Sequence, residues 1–95
     1  MRDLHYVALI HKDADSGYGV SFPDLPGVIA VADTLDAAIA EGAAALAFAL
    51  EDWPGGQPLP RTLEDWRAVD AFREAMAEGI VAAIRPSPAY YQAAE

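Results

Sequence analysis

Two aspartates, Asp13 and Asp15, alternate with other residues as the first ligands of a calcium-binding loop do. Such a loop needs oxygen ligands at fixed alternate positions and a glycine at its sharp turn. Here Gly17 stands where the third oxygen ligand is needed, and Tyr18 stands where the glycine is needed. The segment is therefore interpreted as a hairpin loop, and no metal site is predicted in it.

The two histidines of the chain, His5 and His11, are six residues apart on one predicted strand. At about 3.3 Å per residue they lie roughly 20 Å from each other, too far to share a metal ion. With no cysteine there is no thiolate ligand, no thiol nucleophile and no disulfide. No metal or other cofactor is predicted. His11, beside Lys12, is expected at the rim of an interface with a charged partner.

The residues do not favour an enzyme. None of the serines, Ser16, Ser21 and Ser87, stands in a G-x-S-x-G setting, and no glycine-rich loop opens a helix. A metal nuclease would need several carboxylates converging from strand interiors, whereas the acids here fall in predicted loops and helices. A binding module is the better interpretation.

The charge is strongly negative, with 15 acidic and 6 basic residues, a formal net charge of −9 and a pI near 4.4. Such a surface repels nucleic acid and complements a basic protein. Solubility alone is an alternative explanation, and on charge alone it is the stronger one. No apolar run approaches the ~18 residues of a membrane span, and the N-terminus lacks a signal-peptide pattern, so a cytoplasmic protein is expected.

The hydropathy pattern predicts the element order β-β-β-α-α-β. Strands are predicted at residues 4–11, 18–22, 28–32 and 80–85, and helices after the capping residues Asp33 or Thr34 and from Thr62 to Gly79. Short connections between the first three strands favour an antiparallel meander. The expected fold class is α+β, with an antiparallel sheet of three to four strands and helices on one face.

With helices on one face, the other face of this sheet would expose apolar side chains, which indicates an interface with a second copy or a partner. The predicted dimer contacts are Val7, Leu9, Ile29 and Val31. Trp53 and Trp66 fall on the apolar stripes of their helices and are predicted to be buried. Phe48 lies off its stripe, so it is either exposed or covered by another segment.

Four segments together resemble one known family, the HicB antitoxins. They are residues 6–12, residues 17–27 with the run Phe22, Pro23, Asp24, Leu25, Pro26 and Gly27, residues 33–37, and the pair Pro58 and Pro60. The resemblance extends over residues 4–60 and is looser up to Arg85. It implies a partial RNase H-like domain without catalytic carboxylates, here expected at residues 1–88, followed by a tail at 89–95.

The resemblance also implies a function, the binding of a toxin. Members of the family bind a small basic RNA-cleaving toxin of the HicA type and cover its RNA-binding surface or active site. His11, Asp24 and Leu25 are the expected toxin contacts, chosen because the loop positions are expected to be exposed. Two alternatives stay open: an orphan regulatory or ligand-binding domain without a toxin, and, last in rank, a residual metal nuclease.

Many relatives continue past the fourth strand into a ribbon-helix-helix or helix-turn-helix domain that binds operator DNA. This chain stops ten residues after Arg85. Either the sequence is a shortened form or this member does not bind DNA itself. In both cases the charge argues against direct nucleic-acid binding by this portion.

Overall fold

A computed structural model describes residues 4–14 and 17–87, in which a four-stranded antiparallel sheet carries three helices. The strands are β1 (Tyr6–Asp13), β2 (Gly17–Ser21), β3 (Ile29–Ala32) and β4 (Ile80–Ile84). The helices are α1 (Leu35–Glu51), α2 (Leu63–Arg67) and α3 (Asp70–Met76). The strand order in the sheet is β3-β2-β1-β4, which confirms the predicted α+β class and element order.

Strand β1 lies in the middle of the sheet, with β2 on one side and β4 on the other. Its first five residues, 6–10, are all buried. Because successive side chains of a strand point to opposite faces, a run of buried residues means that both faces of β1 are covered.

Helix α1 covers the first face. It begins after Thr34, whose hydroxyl accepts a hydrogen bond from the backbone N of Ala37 at 3.1 Å. Gly42 lets the helix approach the sheet closely, since a Cβ at this position would lie 3.2 Å from Cγ1 of Val20 and 3.5 Å from Cδ1 of Ile84. The first core therefore forms between α1 and one face of β1, β2 and β4.

The second face is covered by α2 and α3, so the expectation of helices on one face only is wrong. A second cluster of buried residues joins Val7 and Leu9 of β1 to Trp66 and Phe72. The rings of Trp66 and Phe72 stack with their centroids 5.8 Å apart. The apolar side chains of β1 on this face thus find their cover within the same chain.

The predicted second helix is divided in two. Its start is as predicted, with a capping box in which the Thr62 hydroxyl accepts from the Asp65 backbone N and the Asp65 carboxylate accepts from the Thr62 backbone N. The helix ends at Arg67, and Val69 takes an extended conformation with φ −96° and ψ 120° before α3 begins.

The structure corrects half of the predicted dimer interface. Val7 and Leu9 are 8% and 6% exposed because α2 and α3 cover them, whereas Ile29 and Val31 of β3 stay 65% and 62% exposed. Trp66 is buried as predicted, and Phe48 is 67% exposed. The expected tail at 89–95 lies outside the described residues. In the described part, no helix is both long and apolar enough to cross a membrane.

Candidate functional site

The segment between β2 and β3 folds into two consecutive tight turns. The backbone N of Leu25 donates to the carbonyl of Phe22 at 3.0 Å, and the backbone N of Val28 donates to the carbonyl of Leu25 at 3.1 Å. The Leu25 side chain is fully buried. Gly27 has a φ of +94°, a conformation that other residues rarely adopt. The sequence of this segment is thus accounted for by its backbone path and by the core contacts of Phe22, Leu25 and Val28.

The carboxylate of Asp24 fastens these turns to the start of α2. Its Oδ2 accepts a hydrogen bond from the backbone N of Arg61 at 3.1 Å and a second from Nε1 of Trp66 at 3.4 Å. The Arg61 side chain lies over both partners. Its Nε is 3.9 Å from Oδ1 of Asp24, and its guanidinium is 4.6 Å from the centroid of the Trp66 ring. Only 6% of the Asp24 side chain is exposed.

The three residues expected to touch a toxin hold the fold together. His11 is half-buried, with its Nε2 3.0 Å from the carbonyl of Ala75 in α3. Leu25 and the Asp24 carboxylate are buried, so the exposure expected for these loop positions is wrong. The three do not form one cluster, since His11 contacts α3 and Asp24 contacts the start of α2. Their effect on a partner stays a prediction.

An apolar groove of about 370 Å³ lies between these turns and the α2–α3 pair. Trp66 and Phe72 form its inner wall, and Val69, 38% exposed, lies at its rim. Among the described residues, no charged side chain lines the groove, which suits it to apolar side chains rather than to ions or phosphates. The complete lining is Leu9, Ser21, Phe22, Pro23, Pro26, Gly27, Val28, Ile29, Trp66, Val69, Ala71, Phe72 and Ala75.

A second depression, of about 320 Å³, lies on the α1 side of β3. Gly27, Val28 and Ile29 line both depressions. On the α1 side they are joined by Phe48 and by the small residues Ala45 and Ala49. The exposed apolar surface therefore continues around the start of β3 from one face of the sheet to the other.

The charges are distributed unevenly around this surface. No lysine or arginine occurs between Lys12 and Arg61, and residues 33–52, which include α1, carry five acids. These acids are Asp33, Asp36, Glu41, Glu51 and Asp52. By contrast, no charged residue occurs between Asp24 and Asp33, the segment that includes β3. The molecule thus presents an acidic helix next to a neutral, apolar strand.

Two further features of the described residues concern metal binding and unpaired polar groups. Within residues 4–14 and 17–87, no group of three His, Cys, Asp or Glu side chains is placed to hold a metal ion. In the same part of the chain, every buried side-chain nitrogen or oxygen has a hydrogen-bond partner. What the site offers is a shaped apolar surface with acids beside it.

A sequence model of the HicB-like antitoxins of bacterial toxin-antitoxin systems matches residues 6–93. The chain belongs to the HicB-like antitoxin family. This membership supports an antitoxin role and a non-enzymatic one. No curated protein sequence matches the chain significantly.

Solved structures agree with the family. The crystal structure of the antitoxin HicB from Burkholderia pseudomallei is 27% identical, with a TM-score of 0.68 over 85% of this chain and 61% of that chain. The crystal structure of the N-terminal domain of the same antitoxin has the same identity and TM-score, and the match covers 95% of that domain. The HicB-like chain described here therefore corresponds to the N-terminal domain and spans 61% of the longer antitoxin.

Sequence reasoning missed the groove and the role of Asp24 in the HicB-like chain. The residues that Asp24 binds lie 37 and 42 positions away, beyond the reach of local patterns. One signal for the groove was present, because β1 is apolar on both faces and such a strand is typical of a sheet covered on both sides.

Proposed function

We propose that this HicB-like chain neutralises a small basic RNA-cleaving toxin of the HicA type by binding it and covering its RNA-binding surface or active site. The observation that carries the proposal is the family match over residues 6–93. Because the chain spans 61% of the longer antitoxin it resembles, the proposal concerns toxin binding and leaves aside any DNA-binding activity.

The charge of the chain supports a basic partner. A formal net charge of −9, with five acids and no base over residues 33–52, produces a negative potential beside α1. Opposite charges steer two proteins together and raise the association rate, while the same potential repels RNA. An antitoxin of this kind competes with RNA for the toxin without binding RNA itself.

His11, Asp24 and Leu25 contribute to toxin binding through the shape of the surface. Asp24 holds the turns against α2, Leu25 anchors them in the core, and His11 joins β1 to α3. Together these contacts fix the walls of the groove. A rigid, preformed surface loses less conformational entropy when a partner binds.

Self-association and a cytoplasmic location are part of the same proposal. Ile29 and Val31 are two large apolar side chains left exposed on β3, and exposed apolar patches mark interaction sites. A toxin that cleaves mRNA acts in the cytoplasm, so its antitoxin is expected there too.

Co-expression tests the proposal. The chain is produced together with the small basic protein encoded beside it, and growth and co-purification are measured. The expected result is restored growth and a stable complex. Growth arrest that persists despite soluble, folded chain would overturn the proposal and leave an orphan regulatory domain. Val69→Lys, at the exposed rim of the groove, is expected to rescue growth less well, and the matched control Leu59→Lys, at an exposed position outside the groove, is expected to rescue growth fully.

A further inference from the structure

Helix α1 has two alanines that are buried although they face away from the sheet. Gly42 marks the side of the helix that packs on the sheet, since a Cβ there would lie 3.2 Å from Cγ1 of Val20. At 3.6 residues per turn, Ala44 and Ala47 lie about 200° and 140° around the helix from Gly42, on its outer side. Both are nevertheless only 2% exposed.

The outer side of α1 is open on either side of these two alanines. Ala40 and Glu51 lie about 160° and 180° around the helix from Gly42. Both are exposed, as expected for an outer side that meets solvent. Ala44 and Ala47 lie between them along the helix. The cover over these two alanines is therefore local.

The two packed cores do not account for this burial. In the part of the chain that the structure describes, the cluster between α1 and the sheet includes Ala38, Leu46 and Leu50 of the same helix. Neither that cluster nor the one on the second face includes Ala44 or Ala47. Because a buried side chain must have atoms over it, residues outside the two cores lie against this part of α1.

The chain after β4 arrives at this part of α1. The backbone N of Ser87 donates to the carbonyl of Ala43 at 3.1 Å, one turn before Ala47, and Pro86 is buried. Pro88 favours an extended course for the residue before it. An extended chain advances up to about 3.3–3.6 Å per residue, so three or four residues cross a helix about 10–12 Å in diameter.

We infer that the C-terminal segment 88–95, which lies outside the described residues, covers the outer side of α1 at Ala44 and Ala47. The segment starts beside these alanines, and it is long enough to cross the helix. The family match extends to residue 93 and so includes most of the segment in the domain. The inference does not depend on toxin binding.

The composition of the segment suits this position. Only Glu95 of residues 88–95 is charged, and Tyr90 and Tyr91 are the two large side chains. Alanines on a helix let another chain segment approach closely, and tyrosine buries its ring while the hydroxyl stays near water. The surface beside the acids of α1 then includes tyrosine rings in place of bare alanine.

Two other occupants fit less well. Residues 1–3 also lie outside the described residues, but they include Arg2 and Asp3, and burial of a charge against alanine is costly. A second copy would bring two strongly acidic helices together, because residues 33–52 carry five acids and no base. The C-terminal segment has neither disadvantage.

A spin label on the full chain tests which segment lies on α1. The chain has no cysteine, so Ala93→Cys provides a single site for a nitroxide label. The label is expected to broaden the amide signals of residues 44–51 and to leave those of α3 sharp, because α3 packs on the other face of the sheet. The matched control is a label at Glu74→Cys, an exposed position of α3, which is expected to give the opposite pattern.

Three results of the labelling would overturn the inference. The first is the absence of broadening at residues 44–51 with the label at Ala93→Cys. The second is broadening of these residues by a label at Arg2→Cys alone. The third is broadening seen only between chains, when labelled chains are mixed with isotope-enriched unmodified ones, since a second copy would then be the occupant.

Glutamine substitutions measure the cover independently of the label. Ala44→Gln and Ala47→Gln are each expected to raise the equilibrium constant for unfolding at least about fivefold, because a longer side chain does not fit under a covering segment. The matched control is Ala40→Gln on the same side of the same helix, which is exposed and expected to stay within about twofold of the unmodified chain. Urea denaturation gives all three values. Equal effects at the three positions would mean that the outer side of α1 is open throughout and would also overturn the inference.

Discussion

The indole Nε1 of Trp66 donates a hydrogen bond to the Asp24 carboxylate at 3.4 Å and so joins the turns after β2 to a helix 42 residues further along the chain. The same carboxylate oxygen accepts from the backbone of Arg61. The Asp24 side chain thereby fixes the position of α2, the first helix that covers the second face of the sheet. Asp24, which lies in one of the segments that resemble the HicB family, therefore has a structural role in this chain.

Removal of the Asp24 carboxylate is expected to destabilise the chain. Asp24→Ala leaves the indole N–H and a backbone N–H without their acceptor, at a cost of about 1–3 kcal/mol in the free energy of unfolding. Asp24→Asn keeps one oxygen acceptor and is expected to cost less. Urea denaturation measures both. The control is Glu74→Ala, an exposed acid of α3, expected within about 0.5 kcal/mol of the unmodified chain. Equal stabilities for Asp24→Ala and Glu74→Ala would refute the role assigned to Asp24.

Truncation of Phe72 tests whether α3 covers the second face. Phe72 is 4% exposed, and Phe72→Ala is expected to cost about 3–5 kcal/mol, because it removes buried contacts and leaves a cavity beside Trp66. Leu59→Ala, at a position 67% exposed, serves as the control and is expected to change little. Thermal and urea denaturation give the two differences. A loss for Phe72→Ala no greater than that for Leu59→Ala would mean that this face is not packed as described.

Two glycines with positive φ are expected to respond differently to alanine. Gly27 has a φ of +94° and free space around its Cα, so Gly27→Ala costs only conformational strain, about 1–2 kcal/mol. Gly17 has a φ of +100°, and its Cβ would lie 2.4 Å from the carbonyl oxygen of Ala32. Gly17→Ala is therefore expected to cost at least about 1 kcal/mol more, since backbone must also move. Urea denaturation of the pair checks the order, and the reverse order would contradict the close approach of β2 to the end of β3.

Charge neutralisation on α1 is expected to slow toxin binding. The double change Glu51→Gln and Asp52→Asn removes two acids from the end of α1 and is expected to lower the association rate about two- to fivefold at low salt, with a shallower dependence on ionic strength. Stopped-flow mixing with the toxin at several salt concentrations measures this. The control, Glu74→Gln with Glu78→Gln on the α3 side, removes the same charge from another surface. A larger effect in the control would place the toxin on the α3 side instead.

The sequence was informative where structure depends on neighbours along the chain. Thr34 and Thr62 each cap a helix as predicted, because the cap and its backbone donor are three residues apart. The antiparallel order of the first three strands followed from the shortness of their connections.

Prediction failed where structure depends on distant contacts. Trp66 and Phe72 would point about 120° apart on one continuous helix, at 3.6 residues per turn. The extended conformation of Val69 breaks that helix, and the two rings then stack on the same face of the sheet. The break cannot be predicted from helical periodicity, whereas the apolar residues on both faces of β1 were a signal that the second face is covered. The exposure expected for Asp24 failed for the same reason, since its partners lie far along the chain.

The pairing of β1 with β4 also constrains when this protein can fold. Tyr6 lies opposite Ile84, so the first strand of the chain is completed only by the last described one. On a translating ribosome the N-terminal strand therefore emerges long before its neighbour has been synthesised. Until residue 84 has left the exit tunnel, one edge of β1 lacks its partner. Final folding is expected only at the end of synthesis of this domain.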